Sequence, residues 1–355
     1  MTELDGLRFI AVCGVMAVHF SPGTLATWGP WGSWGVCFFY VLSGFLITQI
    51  LLGARARLDA GRTRAAAEYG RFFLRRALRL WPAYLLAVLG ATVLGIDFAA
   101  DMLPWNLMFA GNYFVVLHQT WPELLSHLWT LAVEQQFYLL WPLFILLAPR
   151  AIMPATLYAL IAAGPLFRLL ELVCYPEGST KFILLPACVD YFAWGALIAW
   201  SKCAGVSRRH CPATIPAGKL AAAFFLLSLA GYGFDLANRL PRVWPALDGT
   251  LVAVGSWFLI LHCIKGGEST CKSTLRWPAF VYLGEISYGI YLFHNFAHWL
   301  GPRLLRKLTH YRMSYFDNEA IHLGYLVTLS LLLAIASRHL VEQPINRLKN
   351  RITAG

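Results

Sequence analysis

Residues 126–142 of the chain read SHLWTLAVEQQFYLLWP, an apolar run of membrane length with one glutamate, Glu134, at its centre. An ionised side chain in the middle of a bilayer costs about 3 kcal/mol or more, so it usually faces a protein interior or a watery cavity and has a function. A second such run starts at Leu7, contains Arg8 and ends at His19. Buried Arg, His and Glu side chains indicate chemistry or transport across a membrane rather than a passive anchor.

The composition of the whole chain is that of a membrane protein. Of its 355 residues, 58% are hydrophobic and only 13% are charged, whereas a soluble domain carries about 25% charged residues. The apolar excess extends along the full length, so we predict one all-α, polytopic membrane domain over residues 1–355 with no soluble domain appended. The net charge of +11 is assigned to cytoplasmic loops at the lipid surface and not to nucleic acid binding.

Apolar runs of membrane length predict ten transmembrane helices. They cover residues 7–24, 34–52, 78–96, 127–148, 153–172, 183–200, 219–236, 246–264, 280–300 and 320–340. A shorter apolar run at 102–117 contains Pro104, Asn106 and Asn112. It is expected to form an interfacial or re-entrant helix.

Arginines between residues 53 and 80 set the predicted orientation. There are eight of them: Arg55, Arg57, Arg62, Arg64, Arg71, Arg75, Arg76 and Arg79. The positive-inside rule places this stretch in the cytoplasm, and both termini with it. The loop 301–319 does not follow the positive-inside rule. It is predicted on the outer side of the membrane, yet it carries Arg303, Arg306, Lys307 and Arg312. Either the span count is wrong there or this loop meets an anionic partner.

Four polar side chains near the predicted inner face and in the first span are candidates for chemistry. His19 lies 11 residues after Arg8, about 16 Å along a helix, and an imidazole can accept and return a proton near neutral pH. The alternative is a packed, structural histidine.

Arg76 and Arg79 share a helix face, and two guanidinium groups so placed can bind a phosphate or a carboxylate. The alternative for this pair is an anchor to lipid headgroups.

Two polar stripes lie on later spans. His127, Thr130 and Glu134 share a face that Tyr138 extends, and a second stripe consists of Tyr288, Tyr291 and His294. For both stripes the alternative is helix packing through interhelical hydrogen bonds. No metal site is predicted, since the eight cysteines show no ligand spacing and the pair at 210–211 is too little for zinc.

Six segments in order resemble the acyltransferase 3 family of bacterial inner-membrane acyltransferases. They are LDGLR at 4–8 with the residues up to His19, FFYVLSGFLI at 38–47, RRALRLWPAY at 75–84, the stretch 128–142, ISYGIYLFH at 286–294 and VEQP at 341–344. The resemblance covers nearly the whole chain.

The resemblance implies an inner-membrane enzyme that moves an acyl group, usually acetyl, from cytosolic acyl-CoA to a hydroxyl of an envelope glycan such as lipopolysaccharide O-antigen. Acetyl-CoA is then a co-substrate, and no bound cofactor is expected. The resemblance implies His19 as the catalytic base and Arg76 and Arg79 as contacts of the acyl donor. Arg8 and Glu134 match other polar positions of the family; we expect Arg8 to join the donor contacts and Glu134 to steady the imidazolium as a second catalytic residue. Acceptor or oxyanion contacts are expected among Asp5, Tyr40, Ser43, His127, Tyr138, Tyr288, Tyr291 and His294, with Tyr288 as an oxyanion donor.

The residues leave other functions open. One alternative is an acyltransferase whose acceptor is a small molecule or a lipid-linked saccharide. From another class, a proton-coupled transporter or flippase would use His19 and Glu134 as a relay, although no internal repeat supports it. The family pattern also leads us to expect Arg where Cys188 stands, two residues before Asp190. Some relatives carry a periplasmic hydrolase-like domain that we do not find here, so a separate periplasmic transferase is a candidate partner.

Overall fold

The computed structural model describes residues 1–21, 23–122, 124–175, 182–203, 216–236, 243–265, 267–309 and 319–352, and within these ranges it is helical with no strand. The helices are α1 (Thr2–Phe20), α2 (Trp31–Asp59), α3 (Ala65–Val93), α4 (Ala99–Leu107), α5 (Gly111–His118), α6 (Leu128–Leu147), α7 (Met153–Cys174), α8 (Leu185–Cys203), α9 (Ala217–Leu236), α10 (Trp244–Lys265), α11 (Thr270–Leu275), α12 (Pro278–Glu285), α13 (Ser287–Thr309), α14 (Glu319–Ser337) and α15 (Gln343–Ile352). A π-helical turn, Arg338–Glu342, joins the last two.

Each of the ten predicted spans overlaps a long helix. In the described part of the chain, six helices are long and apolar enough to cross a membrane: α2, α6, α7, α9, α10 and α14 with its continuation. The helices over the other four predicted spans are α1, α3, α8 and α13. They carry most of the candidate polar side chains, which lower their apolar content. The all-helical membrane class is confirmed.

Three local predictions were wrong. The run at 102–117 is two helices, α4 and α5, because the backbone turns at Phe109, where φ is 52°. The predicted span 280–300 is broken at Ile286, and the guanidinium of Arg338 donates 3.3 Å to the last helical carbonyl, that of Glu285. The supposed loop 301–319 begins as helix, since α13 continues to Thr309. Arg312 lies outside the described residues.

Helix α6 shows how the apolar pattern separates two environments. Its side chains Leu139, Leu143 and Leu147 are 47%, 42% and 65% exposed, on one face at i, i+4 and i+8, as expected for contact with lipid. The opposite face carries Glu134 and Tyr138 toward the protein interior. One face of the stretch 126–142 therefore lines a cavity inside the protein.

Helices α2 and α8 cross at van der Waals distance, because each has a glycine at the crossing. A Cβ added at Gly44 would overlap the carbonyl of Phe192, and one added at Gly195 would overlap the carbonyl of Val41. Small residues permit such close approach of helix backbones. This contact fixes the part of α2 that carries Ser43 and Tyr40.

Candidate active site

One cavity, here called the arginine cavity, has a volume of about 120 Å³ and is lined by Arg8 from α1 and by Arg76 and Arg79 from α3. The i, i+3 spacing on α3 turns the last two side chains toward the same space. The other polar side chains that line it are Ser43, Glu134, Tyr138, Glu285 and Tyr288. The cavity thus gathers three permanent positive charges in a largely apolar bundle.

The charges of Arg76 and Arg79 are available to a ligand. Arg8 pairs with Asp5 at 2.5 Å, and Arg76 lies 5.4 Å from the ring centre of Tyr138, a cation–π distance. In the ranges that the structure describes, neither Arg76 nor Arg79 forms an ion pair with a carboxylate. Guanidinium groups so placed bind phosphate oxygens through charge-assisted hydrogen bonds.

Glu134 is bonded to hydroxyl groups and not to a histidine. Its carboxylate accepts hydrogen bonds from the hydroxyls of Ser43 and Tyr138, whose oxygens lie 3.2 Å apart. Since Ser43 is on α2, the carboxylate ties α2 to α6 on one wall of the arginine cavity. The cost of holding Glu134 inside the bundle is offset by these two donors.

A second cavity, here called the histidine cavity, has a volume of about 530 Å³ and contains His19 at the end of α1. It is lined by aromatic side chains and by two carboxylates: Trp121, Trp129, Phe182, Tyr191, Tyr232, Trp244, Asp235 and Asp248. His127 and Cys188 also line it. Its lining thus combines aromatic rings with groups that accept hydrogen bonds.

Three imidazoles stand in a row at this cavity. The ring centre of His294 lies 4.8 Å from that of His19 and 4.9 Å from that of His127. His127 is fixed by the Leu292 carbonyl at 3.1 Å from Nε2 and by Asn295 Nδ2 at 3.0 Å from Nδ1. His294 is fully buried. Of the three, only His19 is exposed, so it is the one whose ring can meet a substrate.

The two cavities share a wall of four side chains: Val36, Tyr40, Thr130 and Tyr291. Among the described lining residues, His19 belongs only to the histidine cavity and the three arginines only to the arginine cavity. Three guanidinium groups and one exposed imidazole therefore lie on opposite sides of this shared wall. This arrangement suits the transfer of a group from an anionic carrier to a neutral acceptor.

Comparison with known proteins agrees with this geometry. A family model described as an acyltransferase domain matches residues 1–337. The chain belongs to the acyltransferase 3 family. No solved structure matches it significantly.

Similar proteins are found in Bacillus, Listeria and Staphylococcus. The chain is 27% identical over 370 residues to YrhL of Bacillus subtilis, covering 96% of this chain and 54% of that protein. It is 26% identical over 320 residues to the peptidoglycan O-acetyltransferase OatA of Listeria monocytogenes, covering 82% of this chain and 48% of the relative. The O-acetyltransferase OatA of Staphylococcus aureus is 32% identical over 155 residues, which is 40% of this chain and 24% of that protein. The chain thus spans about half the length of the first two.

The structure distributes the predicted site residues over the two cavities. Arg8, Arg76, Arg79, Ser43, Glu134, Tyr138 and Tyr288 line the arginine cavity, His19 and His127 line the histidine cavity, and Tyr40 and Tyr291 are in the shared wall. Asp5 accepts a hydrogen bond from the Arg8 guanidinium. His294 lies behind His19. The two sequence stripes therefore run from one cavity to the other.

Two expected contacts are not found. Glu134 was expected beside His19, but its carboxylate faces the arginine cavity and His294 occupies the place beside the His19 ring. Tyr288 was expected to present its hydroxyl to a reacting oxyanion. That hydroxyl donates to the Leu80 carbonyl at 2.8 Å, and Tyr288 lines the cavity away from His19.

The sequence analysis missed the carboxylates of the histidine cavity. Asp248 accepts a hydrogen bond of 2.5 Å from Ser228, which in turn accepts one of 2.9 Å from the Trp34 indole. Asp235 lines the same cavity from α9. Both lie in runs that were predicted as spans, so the reasoning that singled out Glu134 would have found them. The aromatic lining residues had no such signal.

Asp190 has an arginine partner from another helix. Cys188 stands where the family pattern led us to expect Arg, and Arg168 of α7 supplies the guanidinium instead, at 2.8 and 2.9 Å from the two carboxylate oxygens. Thr250 Oγ1 also donates to Asp190, at 3.0 Å. Both charged side chains are almost completely buried. The pair joins α7, α8 and α10 behind the histidine cavity.

The described residues contain no group of three or more His, Cys, Asp and Glu side chains arranged to hold a metal ion. The pair at 210–211, considered for zinc, lies outside the described residues.

Proposed function

We propose that the protein is an inner-membrane O-acetyltransferase, which takes an acetyl group from acetyl-CoA in the arginine cavity and passes it to a glycan hydroxyl in the histidine cavity. The observation that carries this proposal is the pairing of the two cavities across one wall. Family membership supports the same reaction class.

The donor site is assigned by charge. Acetyl-CoA carries phosphates that cannot enter lipid, so its CoA portion must stay near the cytoplasmic face while the thioester reaches inward. Arg76 and Arg79 would hold the phosphates, and Arg8, positioned by its 2.5 Å contact with Asp5, would add a third charge. The orientation follows from the arginines of residues 53–80, with ten spans and both termini in the cytoplasm.

The chemical step uses His19 as a general base. The acceptor hydroxyl attacks the thioester carbonyl carbon while an imidazole nitrogen of His19 takes its proton. The tetrahedral intermediate collapses, the carbon–sulfur bond breaks, and the CoA thiolate leaves and receives a proton from the imidazolium. His294, at 4.8 Å between ring centres, would position the His19 ring. An acetyl-histidine formed before the acceptor binds would use the same groups.

The acceptor is proposed to be an envelope glycan. Aromatic side chains that stack on sugar rings and carboxylates that accept hydrogen bonds from hydroxyls both line the histidine cavity. Because the Listeria relative is a peptidoglycan O-acetyltransferase, we place peptidoglycan ahead of lipopolysaccharide O-antigen as the acceptor. A lipid-linked saccharide is an alternative acceptor in the same cavity, and a separate periplasmic transferase would take over the acetyl group at its mouth.

Calorimetric titration of the detergent-purified protein with acetyl-CoA tests the donor site. Saturable binding is expected, with the affinity lowered at least tenfold in Arg76→Ala and Arg79→Ala, since one charge-assisted hydrogen bond contributes about 1.5–3 kcal/mol. Arg75→Ala is the matched control, because Arg75 is exposed and does not line the cavity. A folded wild-type protein that does not bind acetyl-CoA would contradict the proposal and favour the transporter alternative.

A further inference from the structure

The wall between the cavities is closed by hydroxyl groups. Thr130 Oγ1 and the Tyr291 hydroxyl lie 2.5 Å apart, and both also contact the carbonyl of His127, at 2.9 and 3.1 Å. The Tyr40 hydroxyl donates 3.1 Å to the carbonyl of Thr130. These three side chains are 2–7% exposed. The partition therefore consists of three side chains tied to α6 or its first turn by hydrogen bonds, together with the apolar side chain of Val36.

The two aromatic members of the wall are held in place. The Tyr40 ring stacks on Phe192 with 4.7 Å between ring centres, and its hydroxyl is bonded to α6. Tyr291 is bonded to α6 through its own hydroxyl. A large ring that is attached to one helix and hydrogen-bonded to another cannot move aside easily. The small side chains, Thr130 and Val36, therefore set the width of any opening.

Thr130 also lies at the boundary between the two cavities. On the same face of α6, His127 lies one turn before it at the histidine cavity, and Glu134 lies one turn after it at the arginine cavity. A group that crossed the wall at this point would have to displace the Thr130–Tyr291 contact. Each additional methylene on that group needs more room at this point.

We propose that the shared wall is the passage for the acyl group, and that Thr130 and Val36 limit its chain length to short acyl groups. This inference rests on the proposed function, because it presumes a donor in the arginine cavity and a base in the histidine cavity. It adds a specificity role for two residues that take no part in proton transfer or phosphate binding.

The test measures the preference for acyl chain length of the protein (residues 1–355) reconstituted in lipid nanodiscs. Release of CoA thiol is followed with acetyl-, propionyl-, butyryl- and hexanoyl-CoA, with a soluble muropeptide mixture as the acceptor probe. Thr130→Ser keeps the hydroxyl and removes one methyl group, and Val36→Ala shortens the apolar member. We expect both to raise the butyryl-to-acetyl rate ratio about tenfold, which corresponds to about 1.4 kcal/mol.

Thr48→Ser is the matched control. Thr48 is a buried threonine of α2 that accepts a hydrogen bond from the Trp141 indole at 2.8 Å and lines neither cavity. It should keep the wild-type ratio. Thermal melting of each variant establishes that it is folded.

Two results would overturn the inference, and they differ in what else they affect. An unchanged rate ratio in both Thr130→Ser and Val36→Ala, in folded proteins that still turn over acetyl-CoA, removes the size limit from the wall and leaves the proposed function intact. Wild-type protein that binds acetyl-CoA but releases no CoA with any acyl donor removes the proposed function and the inference together.

Discussion

Accessibility distinguishes His19 from its two histidine neighbours. His127 and His294 are 3% and 0% exposed, and each is bonded to a main-chain carbonyl of α13. A buried, bonded imidazole gives shape to a site, whereas an open one can exchange protons with a ligand. Residue type alone did not separate these roles, because all three histidines lie in apolar runs.

Replacing His19 by glutamine is expected to lower acyl transfer by about 10²–10⁴-fold, the usual contribution of a general base. Acetyl-CoA affinity should remain at the wild-type value, because His19 lies outside the arginine cavity. Transfer is measured by CoA release and affinity by calorimetry.

His118→Gln is the control for that experiment, since His118 lines neither cavity and its Nδ1 lies 3.0 Å from the Phe114 carbonyl. It should behave as wild type. Full transfer activity in His19→Gln would refute the base assignment.

At the scale of elements, helix positions followed from the sequence better than helix breaks did. A run of about 20 apolar residues has few alternatives to a helix in a bilayer, because every backbone group must find a partner within the segment. The breaks at Phe109 and Ile286 depend on partners from elsewhere in the chain, as the bond from Arg338 to the Glu285 carbonyl shows. The hydropathy of a segment does not depend on such long-range contacts, so it cannot predict them.

The α2–α8 crossing provides a stability test with a control on the same helix. Gly44→Ala should lower the free energy of unfolding by about 1–3 kcal/mol, the usual cost of overpacking, since the added Cβ meets the Phe192 carbonyl. Gly53→Ala, also on α2, meets nothing within 4 Å and should be neutral or raise stability by about 0.5–1 kcal/mol. Both are measured by thermal melting in detergent.

Equal melting temperatures for Gly44→Ala and Gly53→Ala would show that the two backbones are not in close contact at this crossing.

For the whole molecule, the decisive feature is the separation of the arginines from His19. In the proposed function, this separation means that the charged donor and the glycan acceptor need never share one compartment. Helix α2 runs past both cavities, with Ser33 at the histidine cavity and Ser43 at the arginine cavity. Its two ends should therefore be accessible from opposite faces of the membrane.

A cysteine-labelling experiment tests this orientation. In a variant with its native cysteines replaced by serine, Ser33→Cys should react with a membrane-impermeant maleimide from outside intact cells. Ala60→Cys should react only in inverted vesicles, and so should Thr2→Cys, because the N-terminus is expected on the same side. Labelling of Ser33→Cys and Ala60→Cys from one and the same side would contradict the proposed topology.

The sequence by itself determined that this is an all-helical membrane protein, where most of its helices lie, and which polar side chains are unusual in them. Those properties are local, since they depend on hydropathy over about 20 residues and on a 3.6-residue period. Only the tertiary structure decided which side chains meet. Glu134 joins Ser43, 91 residues away, and Thr130 joins Tyr291, 161 residues away. A helical period specifies the face on which a residue lies but not the helix that packs against it, so the two cavities and the wall between them could not be predicted from the sequence.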